Sequence, residues 1–158
     1  MSKTKTSAKA DRKILRPRAM FFLNQANHAV RSRLDAALGV MEMTGIQYTV
    51  LSVIGAHAGL SSAELSRRFY VTPQTMNELI SALERRDLIV RKADPANRRI
   101  LRMNVTDTGR DMLSKCDALA DAVEQDVFGA MPEEDYRRLA ELARDLARHL
   151  RTRDEPAG

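Results

Sequence analysis

LSSAELSRRFYVTPQTMNELISALERRDLIVRKADPANRRILRMNVT, residues 60–106, contains two helix starts followed by a hairpin. Ser61 with Glu64 three residues on is a capping box, in which each side chain satisfies an orphan backbone N–H at a helix start. Leu65 and Phe69 are the inward positions of the short helix that follows, which stops near Tyr70-Val71. Thr72-Pro73 then reads as an N-cap followed by proline at the first helical position. Met76, Leu79, Ile80 and Leu83 repeat at helical spacing and form the apolar stripe of a second helix, running to about Arg86. Two runs rich in Val, Ile and Leu, 88–91 and 100–105, flank the turn-forming segment Ala93-Asp94-Pro95-Ala96-Asn97-Arg98-Arg99. Helix, tight turn, helix and β-hairpin in that order is the winged helix-turn-helix plan.

Outward from this segment the chain is helical. Leu23, Ala26, Val30, Leu34 and Ala37 recur at steps of three and four, predicting a helix from about Pro17. Gly39 and Gly45 bracket a break, and Thr44 is placed to cap a helix that turns Val50, Leu51 and Ile54 inward and ends by Gly59. Thr106-Asp107 caps a long helix with Met112, Cys116, Leu119, Val123 and Val127 on one face. Pro132 opens a last helix with Leu139, Leu142, Leu146 and Leu150 in a row. The last two helices carry many charges and leave these rows little to bury against within one chain. The expected class is mainly α with a small β-hairpin wing.

Charge is unevenly placed. Of a net +5, residues 1–18 carry +6, 19–59 are neutral, 60–106 carry +4 and 107–158 carry −5. Positive charge therefore gathers in the N-terminal tail and the middle, where a polyanion can be held, although an ordinary solvated surface is the plainer reading of charge alone. Residues 1–13 read as a mobile basic arm and 153–158 as a disordered tail. No apolar run reaches the length of a membrane span, and 1–13 lacks the apolar stretch of a secretory signal, so a cytoplasmic location without membrane association is expected. The lone Cys116 allows no internal disulfide.

The second helix of the pair presents Gln74, Asn77, Glu78, Ser81 and Arg85 away from its stripe, with Thr75 alongside. Gln and Asn can pair with adenine edges, and Thr can touch a thymine methyl or a phosphate. Ser61 and Ser62 at a helix N-terminus suit a phosphate. Arg98 and Arg99 at the hairpin tip suit a minor groove of high negative potential. Taken singly, each of these is what any surface helix or turn carries; taken together they point to double-stranded DNA. With Arg68 and Thr72, the candidate contacts are Ser61, Ser62, Arg68, Thr72, Gln74, Thr75, Asn77, Ser81, Arg98 and Arg99.

An enzyme is the competing class. The sequence has no phosphate-binding glycine loop, nucleophile elbow or metal-ligand pair, and His28, His57 and His149 are far apart. No catalytic residue, metal or cofactor is expected. A winged helix serving only protein contacts would carry apolar residues where this one carries polar ones.

The sequence also resembles the MarR (multiple antibiotic resistance regulator) family of bacterial transcription factors over roughly residues 20–150. The matching stretches are TGIQYTVL at 44–51, LSSAELSRR at 60–68, VTPQTM at 71–76, LERR at 83–86, DPANRR at 94–99 and VTDTG at 105–109. The resemblance implies a triangular homodimer whose first, fifth and sixth helices interleave. Residues 14–43 and 107–152 would then be dimerisation helices around a DNA-binding lobe at 44–106. It implies a near-palindromic operator, 72–85 as recognition helix, and Arg99 as the wing arginine of the minor groove. Two positions depart from the family pattern. Asn97 stands where the family usually has an acid two residues before the wing arginine, leaving either Asp94 or a hydrogen bond to steady Arg99. Asp87 stands where glycine is frequent, and aspartate tolerates left-handed backbone well enough for the turn to survive.

The resemblance further implies a ligand-responsive repressor, released by a small molecule bound between the dimer helices and the lobe. The start of the first helix mixes Met20, Phe21 and Phe22 with Arg16, Arg18, Asn27, His28 and Arg31, and Tyr48 is expected nearby. Apolar walls with cationic and hydrogen-bonding groups suit an anionic aromatic effector or its acyl-CoA thioester, with core packing as the plainer reading. Arg18, Phe22, Asn27, His28, Arg31, Tyr48, Met112 and Cys116 are the candidate effector residues. Redox sensing through Cys116 is the alternative. Its place on an apolar stripe favours a small hydrophobe, and the family's peroxide sensors carry their cysteine near the start of the first helix.

Overall fold

The structure, a computed structural model, describes residues 18–154. The expected arm at 1–13, Arg16 and residues 155–158 lie outside the described residues. Helix α1 spans Ala19–Leu38, a 3-10 turn spans Gly39–Met41, and α2 spans Gly45–Ala56. The lobe continues with strand β1 (Leu60–Ser61), α3 (Ser62–Phe69), α4 (Pro73–Arg85), β2 (Ile89–Ala93) and β3 (Leu101–Val105). Helices α5 (Asp107–Phe128) and α6 (Glu133–Asp154) complete the chain. No single helix among the described residues is long and apolar enough to cross a membrane.

Local chemistry sets most of these boundaries. The Thr44 hydroxyl accepts from the Gln47 N–H at 3.3 Å while the Gln47 side chain accepts from the Thr44 N–H at 3.0 Å, closing a capping box at α2. Ser61 and Glu64 close a second at α3, the Ser61 N–H reaching Glu64 Oε2 at 2.8 Å. Thr72 accepts from the Thr75 N–H at 3.1 Å with Pro73 in the first turn of α4, and Thr106 accepts from the Gly109 N–H at 2.9 Å at α5. Such a cap is worth about 1 kcal/mol. Tyr70 ends α3 in the left-handed region at φ 52°. Asp87 turns the chain out of α4 at φ 55°, as expected for an aspartate standing where glycine is frequent.

The sheet is antiparallel in the order β1-β3-β2. Ile89 pairs with Val105 and Ala93 with Leu101 in the hairpin, and β1 adds Leu60 opposite Met103 and Ser61 opposite Arg102. The hairpin lies where the two apolar runs predict it, with β2 reaching Ala93. Strand β1 is an addition: two residues of strand exist only through pairing with a segment far along the chain. Gly109 is required where α5 crosses the end of β2, because a Cβ there would sit 2.0 Å from the Leu88 carbonyl oxygen.

The core joins α2, α3, α4 and the sheet. Val50, Leu51, Ile54, Leu65, Met76, Ile80, Leu83, Leu88, Ile89 and Met103 are buried, with Leu38, Met43 and Cys116 closing it from α1, its C-terminal loop and α5. Each large aliphatic side chain contributes roughly 1.5–3 kcal/mol by burial. The terminal helices differ. Met20, Phe21, Phe22 and Leu23 of α1 and Leu139, Leu142, Leu146 and Leu150 of α6 are all exposed. Helix α6 continues through Asp154, two residues into the stretch expected as a tail.

Candidate nucleic-acid interface

The outer face of α4 carries the polar residues the sequence placed there. Gln74, Asn77, Glu78, Ser81 and Arg85 line a shallow open hollow of about 580 Å³. Two local bonds orient the face. The Ser62 hydroxyl at the start of α3 donates to Asn77 Oδ1 at 2.7 Å, leaving the amide nitrogen of Asn77 free to donate outward. Gln74 donates to Glu78 at 3.3 Å. The hydroxyls of Thr72 and Thr75 lie 2.9 Å apart, both exposed at the N-terminus of α4.

Ser81 and Arg68 are placed differently from the others. Ser81 is half-buried and its hydroxyl accepts from Arg91 Nη2 at 2.8 Å, tying α4 to β2. Arg91 Nε also lies 2.9 Å from Glu84 Oε2, close enough for an ion pair though not aligned as a hydrogen bond. Arg68 sits at the far end of α3 beside Arg67 and Tyr70, lining a separate cleft of about 710 Å³ rather than the α4 hollow.

At the wing tip Arg98 and Arg99 are exposed, and neither guanidinium forms an ion pair or hydrogen bond among the described residues. Asn97 Oδ1 accepts from the Arg99 backbone N–H at 3.1 Å, so its side chain shapes the turn and does not hold the Arg99 guanidinium. Asp94 does not hold it either. Its Oδ1 accepts from the Ala96 N–H at 2.7 Å, and its Oδ2 lies 2.7 Å from both Nε and Nη2 of Arg102. The Arg102 bond is the main reason the Asp94 carboxyl is held below its ordinary value. Arg102 Nη1 continues to the Gly59 carbonyl at 3.1 Å and to Glu64 Oε2 at 3.2 Å. The Glu64 carboxyl is also held low, first by the Ser61 side chain and backbone and then by Arg102.

Three cations that position this surface were missed from sequence: Arg86, Arg91 and Arg102. Arg86, just past α4, donates to the carbonyls of Met41 and Glu42 at 3.0 and 2.8 Å and approaches Met43 Sδ at 3.0 Å, fixing the C-terminus of α4 to the loop between α1 and α2. The available signal was alternation. Arg91 stands between outward Val90 and Lys92 and so falls on the covered face, opposite buried Met103, whereas Arg102 lies opposite exposed Lys92 and alternation gives no sign of its partners.

The effector candidates fall into two groups. Arg18 lines a surface hollow of about 740 Å³ with Met20, Phe21 and Asn24 at the start of α1. Phe22 is exposed beside Phe21, their rings edge to face at 5.5 Å. Asn27 and His28 are exposed further along α1, and Arg31 pairs with Asp35 at 3.8 Å. The second group lies where α2 meets α5. The Tyr48 hydroxyl donates to Asp117 at 2.7 Å, and half-burial followed by that carboxylate pushes the phenol well above its ordinary value. Met112 packs against the core, and Cys116 is fully buried. Burial, aided by Asp117 and opposed by Arg86, pushes the Cys116 thiol up, which leaves little of the reactive thiolate. No hydrogen bond or ion pair among the described residues joins the two groups.

Comparison with known proteins agrees with this geometry. Residues 42–100, most of the lobe, match the model of the MarR family. The HTH-type transcriptional repressor Rv2887 of Mycobacterium tuberculosis is 29% identical over 124 residues, covering 77% of this chain and 89% of that protein. The crystal structure of Rv2887 in complex with salicylic acid superposes with a TM-score of 0.69 at 27% identity, covering 83% of this chain and 97% of that one. A MarR-family regulator from Rhodococcus sp. RHA1 gives a TM-score of 0.76 at 23% identity, with 81% and 92% covered, and shares the fold. From the winged helix-turn-helix lobe, the family match across it and the regulators that resemble it along most of their length, the chain is similar to the MarR family of transcriptional regulators and shares its fold.

Proposed function

We propose that the chain acts in the cytoplasm as a homodimeric repressor on a near-palindromic operator, with α4 of each subunit in a major groove and Arg99 of each wing in the adjacent minor groove. The observation that carries this reading is the pairing of an outward polar face, Gln74, Asn77 and Arg85, with two wing-tip guanidiniums that have no partner among the described residues. Elsewhere in the lobe Arg86, Arg91 and Arg102 are all bonded within the chain. Cations kept unneutralised beside base-reading side chains are what a polyanionic groove requires.

Residues 14–43 and 107–152 serve as dimerisation helices in this reading. The exposed apolar start of α1 (Met20, Phe21, Phe22 and Leu23) and the leucine row of α6 support it: eight exposed large side chains need a partner, and a second copy supplies one with the same surfaces. The effector is a small aromatic carboxylate or its CoA thioester, bound between the dimer helices and the lobe, either against the α1 candidates Arg18, Phe22, Asn27, His28 and Arg31 or at the α2–α5 junction beside Tyr48 and Met112. Rv2887, whose structure contains salicylic acid, supports the simpler carboxylate. The buried Cys116 thiol gives no support to redox sensing.

The direct test is a salt titration on a duplex recovered from random sequence by in vitro selection with the full chain. The logarithm of affinity should fall linearly and steeply with the logarithm of salt. Failure to recover any duplex, even in dilute buffer, contradicts the proposal. Salicylate added to the complex should raise the protein's melting temperature and weaken its hold on DNA, and neither change would leave the effector assignment without support.

A further inference from the structure

We propose that Arg102 is a positioning residue for DNA binding: it locks the wing to the start of α3, and so sets where Arg99 meets the duplex. The inference rests on the DNA-binding reading above and goes beyond it, because Arg102 is not itself a predicted contact.

The geometry is a relay. At one end the Glu64 carboxylate completes the α3 capping box, with Oε2 accepting from the Ser61 N–H at 2.8 Å and from its hydroxyl at 2.6 Å. The same oxygen takes Arg102 Nη1 at 3.2 Å. At the other end Arg102 Nε and Nη2 both reach Asp94 Oδ2 at 2.7 Å. The second oxygen of Asp94 gathers the N–H groups of Ala96 and Asn97 at 2.7 and 3.4 Å. Asn97 then holds the Arg99 N–H at 3.1 Å. Every link from the α3 N-terminus to the Arg99 backbone is a hydrogen bond, and the step from Glu64 to Asp94 runs through one guanidinium. Its planar fork is what lets one side chain serve three acceptors, two carboxylates and the Gly59 carbonyl.

The exposures fit a load between elements and not an outward contact. The Arg102 side chain is 32% exposed and that of Asp94 14%, whereas Arg98 and Arg99 are both exposed. The strand register also places Arg102 directly opposite Ser61. Ser62, the next residue, holds Asn77 on α4. The wing, the α3 N-terminus and the recognition helix are thereby one connected frame. At position 97 this chain has an amide and no charge, so nothing there braces the Arg99 guanidinium, and bracing falls on the backbone of the turn. Backbone bonds from Asp94 to Ile100 and from Ile100 to Asn97 close that turn, and the Asp94–Arg102–Glu64 bridge ties it to the start of α3.

A double-mutant cycle on the full chain tests this. Affinity is read by fluorescence anisotropy on the selected duplex at fixed ionic strength, for wild type, Arg99→Ala, Arg102→Ala and the double variant. Each single change should weaken binding about five- to tenfold, in the range of one lost arginine contact. In the Arg99→Ala background Arg102→Ala should cost less than about twofold more, because a brace has nothing left to position. Independent, multiplying losses overturn the proposal, since Arg102 then touches DNA itself or supports the lobe generally. Arg102→Lys should recover only part of the affinity, because an ammonium lacks the fork. Asp94→Asn repeats the cycle from the other side of the bridge and decides the matter if Arg102→Ala does not fold. A wild-type chain that binds no duplex refutes the functional reading itself. A wild-type chain that binds while the cycle is additive refutes only the role of Arg102.

Discussion

The lobe and the terminal helices use the same helical spacing of apolar residues to opposite ends. In the lobe the periodic residues meet one another: Leu51, Leu65, Met76, Ile80 and Leu83 are fully buried within a single chain. In α1 and α6 the same periodicity leaves Met20 70% and Leu142 60% exposed. The lobe therefore has its own core, closed from outside by Leu38 and Cys116, whereas the start of α1 and the leucine row of α6 are left uncovered among the described residues. Periodicity reports that a face is meant to be buried. It does not report whether the covering surface is in the same chain. Here the contrast separates a lobe with a core of its own from helices whose exposed apolar side chains the proposed second copy would cover.

The contrast breaks most readily at α6. Leu142→Asp with Leu146→Asp should convert a dimer to a monomer by light scattering while the far-ultraviolet circular dichroism of the lobe persists. Operator affinity should then fall about a hundredfold or more, because two tethered lobes bind far more tightly than one. A dimer that survives both charges would move the interface elsewhere. The lobe should respond in the other sense. Leu51→Ala leaves a cavity in a closed core and should cost about 2–5 kcal/mol in urea unfolding, with DNA affinity per folded molecule nearly unchanged. On the reading face, Asn77→Ala should lower discrimination at one base step by about 1–3 kcal/mol while nonspecific affinity holds. Equal losses on selected and random duplexes would make Asn77 a backbone contact. The smallest effect sharpens the frame: Ser61→Ala removes a cap worth about 1 kcal/mol, readable as a drop in melting temperature.

What sequence could reveal follows from how local each signal is. Thr44, Ser61, Thr72 and Thr106 each bond an N–H three residues ahead, so all four helix starts were readable from adjacent letters. The polar face of α4 was readable because its apolar stripe fixes what lies opposite. Strand β1 and the three bracing arginines were not. Arg102 meets Glu64 across 38 residues and Arg86 meets Met41 across 45, and their side chains look no different in the sequence from those of the exposed Arg98 and Arg99. Alternation can mark Arg91 as half-covered, but the partners of all three depend on tertiary pairing, which sets the register. The same limit applies to the departure at Asn97. The sequence left open whether Asp94 or a hydrogen bond steadies Arg99. The structure assigns Asp94 to Arg102 and gives Arg99 a backbone hydrogen bond to Asn97.

Hydroxyl-radical footprinting of the full chain on its selected duplex tests the central claim most directly. A pair of lobes joined by covered α1 and α6 rows predicts two symmetric protected patches about one helical turn apart. Minor-groove protection at their outer edges should disappear in Arg99→Ala. A single patch, or protection that ignores the loss of Arg99, would contradict the account.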